Sequence, residues 1–86
     1  MAASAAMNLT PCTLELGGKS PNIIFEDADL PRAVVGALAG IFAAGGQTCI
    51  AGSRLLVQRA VYEHIVDQLV QRARSIVMGD PADPAT

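Results

Sequence analysis

A cysteine that follows a glycine turn is the residue of this sequence with the clearest potential for chemistry. Cys49 ends the run Gly45-Gly46-Gln47-Thr48-Cys49. A thiolate is a strong nucleophile, and the backbone N–H groups of a glycine turn can stabilise an oxyanion beside it. The competing interpretation is a small buried apolar side chain, which is common for free cysteine. The spacing alone favours that second interpretation.

Glu15 is the second candidate, a lone acid between two leucines and directly before Gly17-Gly18. The pattern predicts that it lies at the C-terminal end of a short strand, where ligands gather in open α/β sheets. A carboxylate in that place can serve as a general base. A solvated acid at a strand end is the alternative, and it is favoured when the pattern is taken alone.

The remaining polar residues indicate no further site. Lys19 and Ser20 imitate the end of a phosphate-binding P-loop, but the first glycine of that motif would fall on Thr13. One histidine and two cysteines without a Cys-x-x-Cys pair predict no metal site. We expect Cys12 to pack in a strand and His64 to lie on the solvated side of a helix.

Composition excludes several classes of partner. A net charge of −2 leaves no basic patch for nucleic acid. The uncharged stretch between Arg32 and Arg54 holds only about a dozen continuous apolar residues, whereas a membrane span needs about 20. Two cysteines do not form a disulfide framework, which favours a reduced, cytoplasmic protein. We therefore expect neither nucleic-acid nor membrane binding.

The apolar fraction indicates that other surfaces cover this chain. It is 51% hydrophobic and 16% charged over 86 residues, whereas soluble domains average about 25% charged. An excerpt of a larger protein would have this composition, and so would a subunit of an oligomer.

The elements that would position the two candidates follow from the local patterns. Strands are expected at residues 13–16, 22–25 and 55–57, from short apolar runs bounded by glycine or proline. One helix is expected to begin at Asp27 or Asp29 and to end at Gly45-Gly46, and a second to run over residues 61–77. The order strand, strand, helix, strand, helix predicts an α/β fold, a parallel sheet with helices on both faces.

Two longer motifs resemble those of one enzyme family. Residues 15–22 (Glu-Leu-Gly-Gly-Lys-Ser-Pro-Asn) are similar to the glutamate signature of the aldehyde dehydrogenases. Residues 42–54 (Phe-Ala-Ala-Gly-Gly-Gln-Thr-Cys-Ile-Ala-Gly-Ser-Arg) are similar to their cysteine signature. The two key residues are 49 − 15 = 34 positions apart, which fits the family. The resemblance extends from about Thr10 to Pro81 and reverses both of the preferences stated above.

The resemblance implies an NAD(P)-dependent oxidation of an aldehyde to a carboxylic acid, of the hydrolytic type. Cys49 would be the nucleophile that forms a thiohemiacetal and then a thioester, and Glu15 would activate the water that hydrolyses it. The backbone N–H of Cys49 would donate to the oxyanion, and Leu16 and Gly17 would lie near the nicotinamide of NAD or NADP. The parent protein would be a homodimer or homotetramer.

The resemblance also implies what residues 1–86 lack. They would be part of the family's catalytic domain, without the cofactor-binding domain, so the isolated chain would be inactive. The alternative function is a catalytically inactive truncated product or an interaction module.

Overall fold

The computed structural model describes all 86 residues of the chain. Its elements, in chain order, are α1 (Ala2–Met7), β1 (Pro21–Ile24), α2 (Leu30–Phe42), a 3₁₀ helix (Ala43–Gly46), β2 (Arg54–Val57), a second 3₁₀ helix (Arg59–Val61) and α3 (Tyr62–Ala73). The expected α/β class is confirmed.

The two strands form a parallel sheet, with α2 as the connection between them. The register pairs Pro21 with Arg54 and Ile24 with Val57, so both strands begin at the same edge. Parallel strands need a connection of a dozen or more residues, and α2 with the loops around it supplies that length.

Helix α2 begins where the sequence places a capping residue. The carboxylate of Asp29 accepts a hydrogen bond of 3.2 Å from the backbone N–H of Arg32, and Pro31 lies in the first turn. An aspartate at this position satisfies one N–H that the helix leaves without a partner. The sequence predicts Asp27 or Asp29 as the capping residue, and in the structure Asp29 caps α2.

The core is small and joins one strand to both long helices. Ile24, Val34 and Ile65 are the buried cluster, with exposures of 3%, 2% and 0%. Both helices therefore pack on the face of the sheet to which Ile24 points. Because side chains alternate along a strand, Ile23 and Leu56 point to the opposite face, where they are 56% and 49% exposed.

The predicted parallel sheet with helices is confirmed, and residues 1–86 supply helices to one face of it. The continuous apolar runs of β1 and β2 are therefore covered on one side within this chain. Strands with this pattern are usually buried on both faces. The apolar pattern therefore indicates that the second face of the sheet is also buried, by structure that residues 1–86 do not provide.

The strand expected at residues 13–16 is also corrected. This segment is not a strand, it is exposed, and its backbone groups make no hydrogen bond within the chain. A segment forms a β-strand only when the backbone of a neighbouring strand accepts and donates hydrogen bonds along it. The chain holds two paired strands, β1 and β2, and neither pairs with this segment. Cys12, which precedes it, is exposed rather than packed in a strand.

Helix α3 is shorter than the expected 61–77, because its last carbonyl groups are used locally. The carbonyl oxygen of Arg72 accepts from the hydroxyl of Ser75 at 2.7 Å and from its backbone N–H at 3.1 Å. Such side-chain hydrogen bonds to nearby carbonyls compete with continuation of the helix. Ile76 and Val77, expected on the inner face of this helix, are 42% and 62% exposed.

Candidate active site

The two motifs meet at one edge of the sheet. Residues 17–20 lead into β1 and residues 48–53 lead into β2, and the register aligns the starts of these strands. The meeting point is thus the amino edge of the parallel pair. The position predicted for Glu15, at the carboxyl end of a strand, is wrong because residues 13–16 form no strand.

Arg54 connects the two motifs directly. Its backbone N–H donates to the carbonyl oxygen of Ser20 at 3.2 Å, and its side-chain Nε–H donates to the carbonyl oxygen of Lys19 at 2.9 Å. One residue of the cysteine motif therefore holds two consecutive carbonyl groups of the glutamate motif. The sequence indicates no role for Arg54. Its side chain donates to a backbone carbonyl 35 positions away, and no residue pattern reveals such an acceptor.

A left-handed turn brings the chain from α2 to the cysteine. The φ angles of Ala44, Gly45 and Gly46 are +51°, +63° and +76°. Glycine adopts this region without steric cost. A Cβ on Gly46 would lie 3.2 Å from the carbonyl oxygen of Ile41, so this position also needs the absence of a side chain. Helix α2 accordingly ends at Phe42, three residues before the predicted glycine pair.

Cys49 lies at the tip of the loop that follows. The backbone N–H of Ala51 donates to the carbonyl oxygen of Thr48 at 3.1 Å, which places Cys49 and Ile50 at the centre of a four-residue turn. The thiol is exposed. The backbone N–H of Cys49 makes no hydrogen bond within the chain, so it is available to an acceptor outside the chain.

The loop is held in place against the sheet and against α2. The backbone N–H of Gly52 donates to the carbonyl oxygen of Gly40 at 3.0 Å. A Cβ on Gly52 would lie 3.2 Å from Cβ of Asn22, so the loop packs closely on β1. These contacts fix the base of the loop, while its tip stays exposed.

Cys49 and the glycine pair of the other motif line the same open cleft. Its walls are residues 17–19 on one side and residues 46–49 on the other. The structure thus brings together Cys49 and Gly17. Glu15 and Leu16 are exposed and lie outside this lining, and the carboxylate of Glu15 makes no hydrogen bond or ion pair in the chain. Lys19, which sequence analysis set aside, is the cation in the cleft wall.

His64 is exposed on α3, as predicted.

The 13-residue α2 occupies much of the uncharged stretch between Arg32 and Arg54. None of the helices combines the length and the apolar character that crossing a membrane requires.

Comparison with known proteins is consistent with this arrangement of motifs. The model of the aldehyde dehydrogenase family matches residues 1–86. Retinal dehydrogenase 2 of Homo sapiens is 54% identical over 84 residues, which are 98% of this chain and 16% of that protein. The chain therefore spans about a sixth of the length of such relatives.

Solved structures share the fold as well as the sequence. An NAD+ complex of an aldehyde dehydrogenase from Bacillus cereus is 51% identical with a TM-score of 0.85, over 91% of this chain and 16% of that one. An NADP-dependent enzyme from E. coli is 42% identical with a TM-score of 0.88, over 96% of this chain and 17% of the other. The two motifs, their meeting at one edge of a parallel pair and the match along the whole chain lead to one conclusion: this chain belongs to the aldehyde dehydrogenase family.

Proposed function

We propose that this chain carries the catalytic cysteine and the general base of an NAD(P)-dependent aldehyde dehydrogenase of the hydrolytic type. The observation that supports this most directly is the cleft that Cys49 shares with residues 17–19, just after Glu15. Family membership and the exposed thiol at the tip of an anchored loop add to it. The chain is then part of a catalytic domain whose remaining parts belong to a longer enzyme.

In the first step the Cys49 thiolate attacks the aldehyde carbon, and a C–S bond forms. The carbonyl oxygen becomes an oxyanion, to which the unpaired backbone N–H of Cys49 donates. This N–H comes from a turn held by the Thr48–Ala51 hydrogen bond, so it is oriented before the substrate arrives. NAD(P)+, held beside Leu16 and Gly17, would supply the acceptor for the hydride that leaves the same carbon. Loss of this hydride leaves Cys49 as a thioester.

In the second step Glu15 takes a proton from water, whose oxygen attacks the thioester carbon. The C–S bond breaks, the thiolate of Cys49 is restored and the carboxylic acid leaves. A carboxylate suits this role because it polarises water without trapping the acyl group itself. The exposed carboxylate of Glu15 has no partner in the chain that would occupy it.

The residues proposed to lie against the nicotinamide leave room for it. A Cβ on Gly17 would meet no atom within 4 Å, and Leu16 is 78% exposed. An open glycine backbone beside the cleft, next to an apolar side chain, fits a flat ring. Both NAD and NADP are consistent with these two uncharged residues.

The test uses the longer native enzyme with an aldehyde and NAD(P)+. We expect Cys49→Ala to lower kcat/KM by at least about a thousandfold, since no nucleophile remains. We expect Glu15→Gln to give a burst of about one NAD(P)H per active site, followed by turnover slowed about a hundredfold or more. Rapid-mixing absorbance at the reduced nicotinamide band measures both.

Two results would contradict these roles. One is steady turnover of Glu15→Gln at the wild-type rate, and the other is substantial oxidation by Cys49→Ala. Replacement of the exposed Glu63 by Gln is the matched control, and it should leave both phases unchanged.

The hydrolytic assignment has a separate test. The presence of Glu15 favours water as the acyl acceptor over the thiol of coenzyme A. With coenzyme A present, the native enzyme should still release the free acid. Robust formation of an acyl-coenzyme A product would overturn the assignment.

The same proposal includes the setting of the enzyme. We propose a cytoplasmic homodimer or homotetramer acting on an aldehyde. Two exposed, unpaired cysteines suit a reducing compartment. The apolar face of the sheet that Ile23 and Leu56 expose would be buried by other parts of the enzyme.

A non-catalytic interaction module is the second candidate, and the same uncovered apolar surface favours it. In that case Cys49→Ser would have no effect, whereas substitutions on the exposed sheet face would abolish binding of a partner. The burst experiment above distinguishes the two candidates.

A further inference from the structure

We propose that Arg54 is a positioning residue that holds the Glu15 segment in register with the Cys49 loop. This inference rests on the proposed function of Glu15 and Cys49. It assigns Arg54 to the hydrolysis step rather than to the formation of the thioester.

Glu15 lies in a segment that has no other hydrogen bond to the rest of the chain. From residue 11 to residue 18 no backbone or side-chain group makes a hydrogen bond within the chain. The first fixed points after Glu15 are the carbonyl groups of Lys19 and Ser20, and both accept from Arg54. Within this chain, the hydrogen bonds that lie nearest to Glu15 on its C-terminal side therefore both come from one residue.

Arg54 contacts the Glu15 segment through two different donor groups. The backbone N–H of Arg54 donates to Ser20 at 3.2 Å, and the Nε–H donates to Lys19 at 2.9 Å. Two donors on two consecutive peptide groups fix a direction as well as a distance. The backbone bond would survive a substitution of Arg54, so the side-chain bond alone fixes the peptide of Lys19.

The Cys49 loop is held by contacts that do not involve the Arg54 side chain. Arg54 opens β2 directly after the Cys49 loop, and the Pro21–Arg54 pair starts the register. The base of that loop is held independently, by the hydrogen bond from Gly52 to Gly40. Loss of the Arg54 side chain should thus leave Cys49 in place and release only the segment that leads from Glu15 into the cleft wall.

Arg54→Met in the native enzyme is the test, with Arg74→Met as the matched control. Arg74 is also exposed, lies at the end of α3, and its side chain makes no hydrogen bond or ion pair. We expect Arg54→Met to retain a burst near one NAD(P)H per active site and to lose at least tenfold in steady-state turnover. The control should match the wild type in both phases.

Arg54→Lys separates the directed hydrogen bond from the charge. Lysine places a methylene group where arginine has Nε, so the positive charge remains but the bond to Lys19 is lost. We expect the same slowed hydrolysis as in Arg54→Met. Since this substitution is milder, it also serves if Arg54→Met fails to fold.

Three outcomes would overturn the inference. The first is turnover of Arg54→Met within twofold of the control. The second is loss of the burst and of turnover in equal proportion, which indicates general damage to the site. The third is full recovery in Arg54→Lys, which would assign the effect to charge. If the wild type oxidises no aldehyde, or if Glu15→Gln turns over normally, the proposed function itself fails, and that result is distinct from these three.

Discussion

Three consecutive residues with positive φ angles turn the chain from α2 towards Cys49. Ala44, Gly45 and Gly46 all lie in the left-handed region. Ala44 adopts it with a side chain present, at a cost of about 1–2 kcal/mol. The two glycines that follow avoid that cost, and only one of them is also constrained by a neighbouring atom.

We predict that Gly46→Ala destabilises the native enzyme more than Gly45→Ala does. Both alanines would have a strained φ, worth about 1–2 kcal/mol. At Gly46 the new Cβ would also lie 3.2 Å from the backbone carbonyl oxygen of Ile41, whereas at Gly45 it would meet a flexible glutamine side chain at 3.4 Å. Denaturant unfolding of the two variants measures the difference, and equal losses would contradict this account.

Among the elements, helix α2 connects the two motifs. The residue at which it begins fixes which part of the chain is helical. Asp29 caps it, and Val34 and Ala37 are its buried residues. The ion pair between Arg32 and Asp29, at 3.4 Å, is largely exposed and contributes little. The hydrogen bond from the Arg32 backbone to the Asp29 carboxylate is the interaction that defines the helix start.

We expect Asp29→Ala to lower the free energy of unfolding by about 1 kcal/mol, because the first turn loses a hydrogen bond to its cap. Asp27→Ala is the control, since Asp27 is exposed, two residues away, and its side chain accepts no hydrogen bond. Thermal unfolding of both variants in the native enzyme checks the prediction. An equal effect of the two substitutions would mean that the cap is not responsible.

For the whole molecule, size and surface indicate a chain that is covered by other structure. The radius of gyration is 18.2 Å, whereas a compact domain of 86 residues has about 12 Å. The accessible surface is 6924 Å², against about 4,800 Å² for a compact protein of 8.9 kDa. Only 5 of 86 residues are buried, so the core alone is too small to stabilise the chain.

We predict that the 86 residues, produced alone, unfold without a cooperative transition and form no NAD(P)H. The apolar groove between α2 and α3, lined by Leu38, Phe42 and Leu69, would then bind a hydrophobic dye. Calorimetry, dye fluorescence and an aldehyde assay test this, with the longer native enzyme as the reference. A sharp transition together with turnover would show the prediction wrong.

The local features of this protein could be predicted from its amino-acid sequence. The cap at Asp29, the apolar faces of the helices, the strands around Ile24 and Leu55 and the glycine turn before Cys49 all depend on neighbouring residues. The two motifs indicated the family, and the high apolar fraction indicated that the chain needs cover. Each of these features depends on neighbouring residues or on the overall composition, so the amino-acid sequence is enough to predict it.

The way in which the two motifs are combined could be seen only in the folded chain. It showed that residues 13–16 are not a strand, because a strand depends on a partner that local sequence does not specify. It placed both motifs at the amino edge of the sheet, because the Pro21–Arg54 register joins residues far apart in the chain. It also revealed the bond from Arg54 to Lys19, whose acceptor is a backbone carbonyl that every residue type possesses.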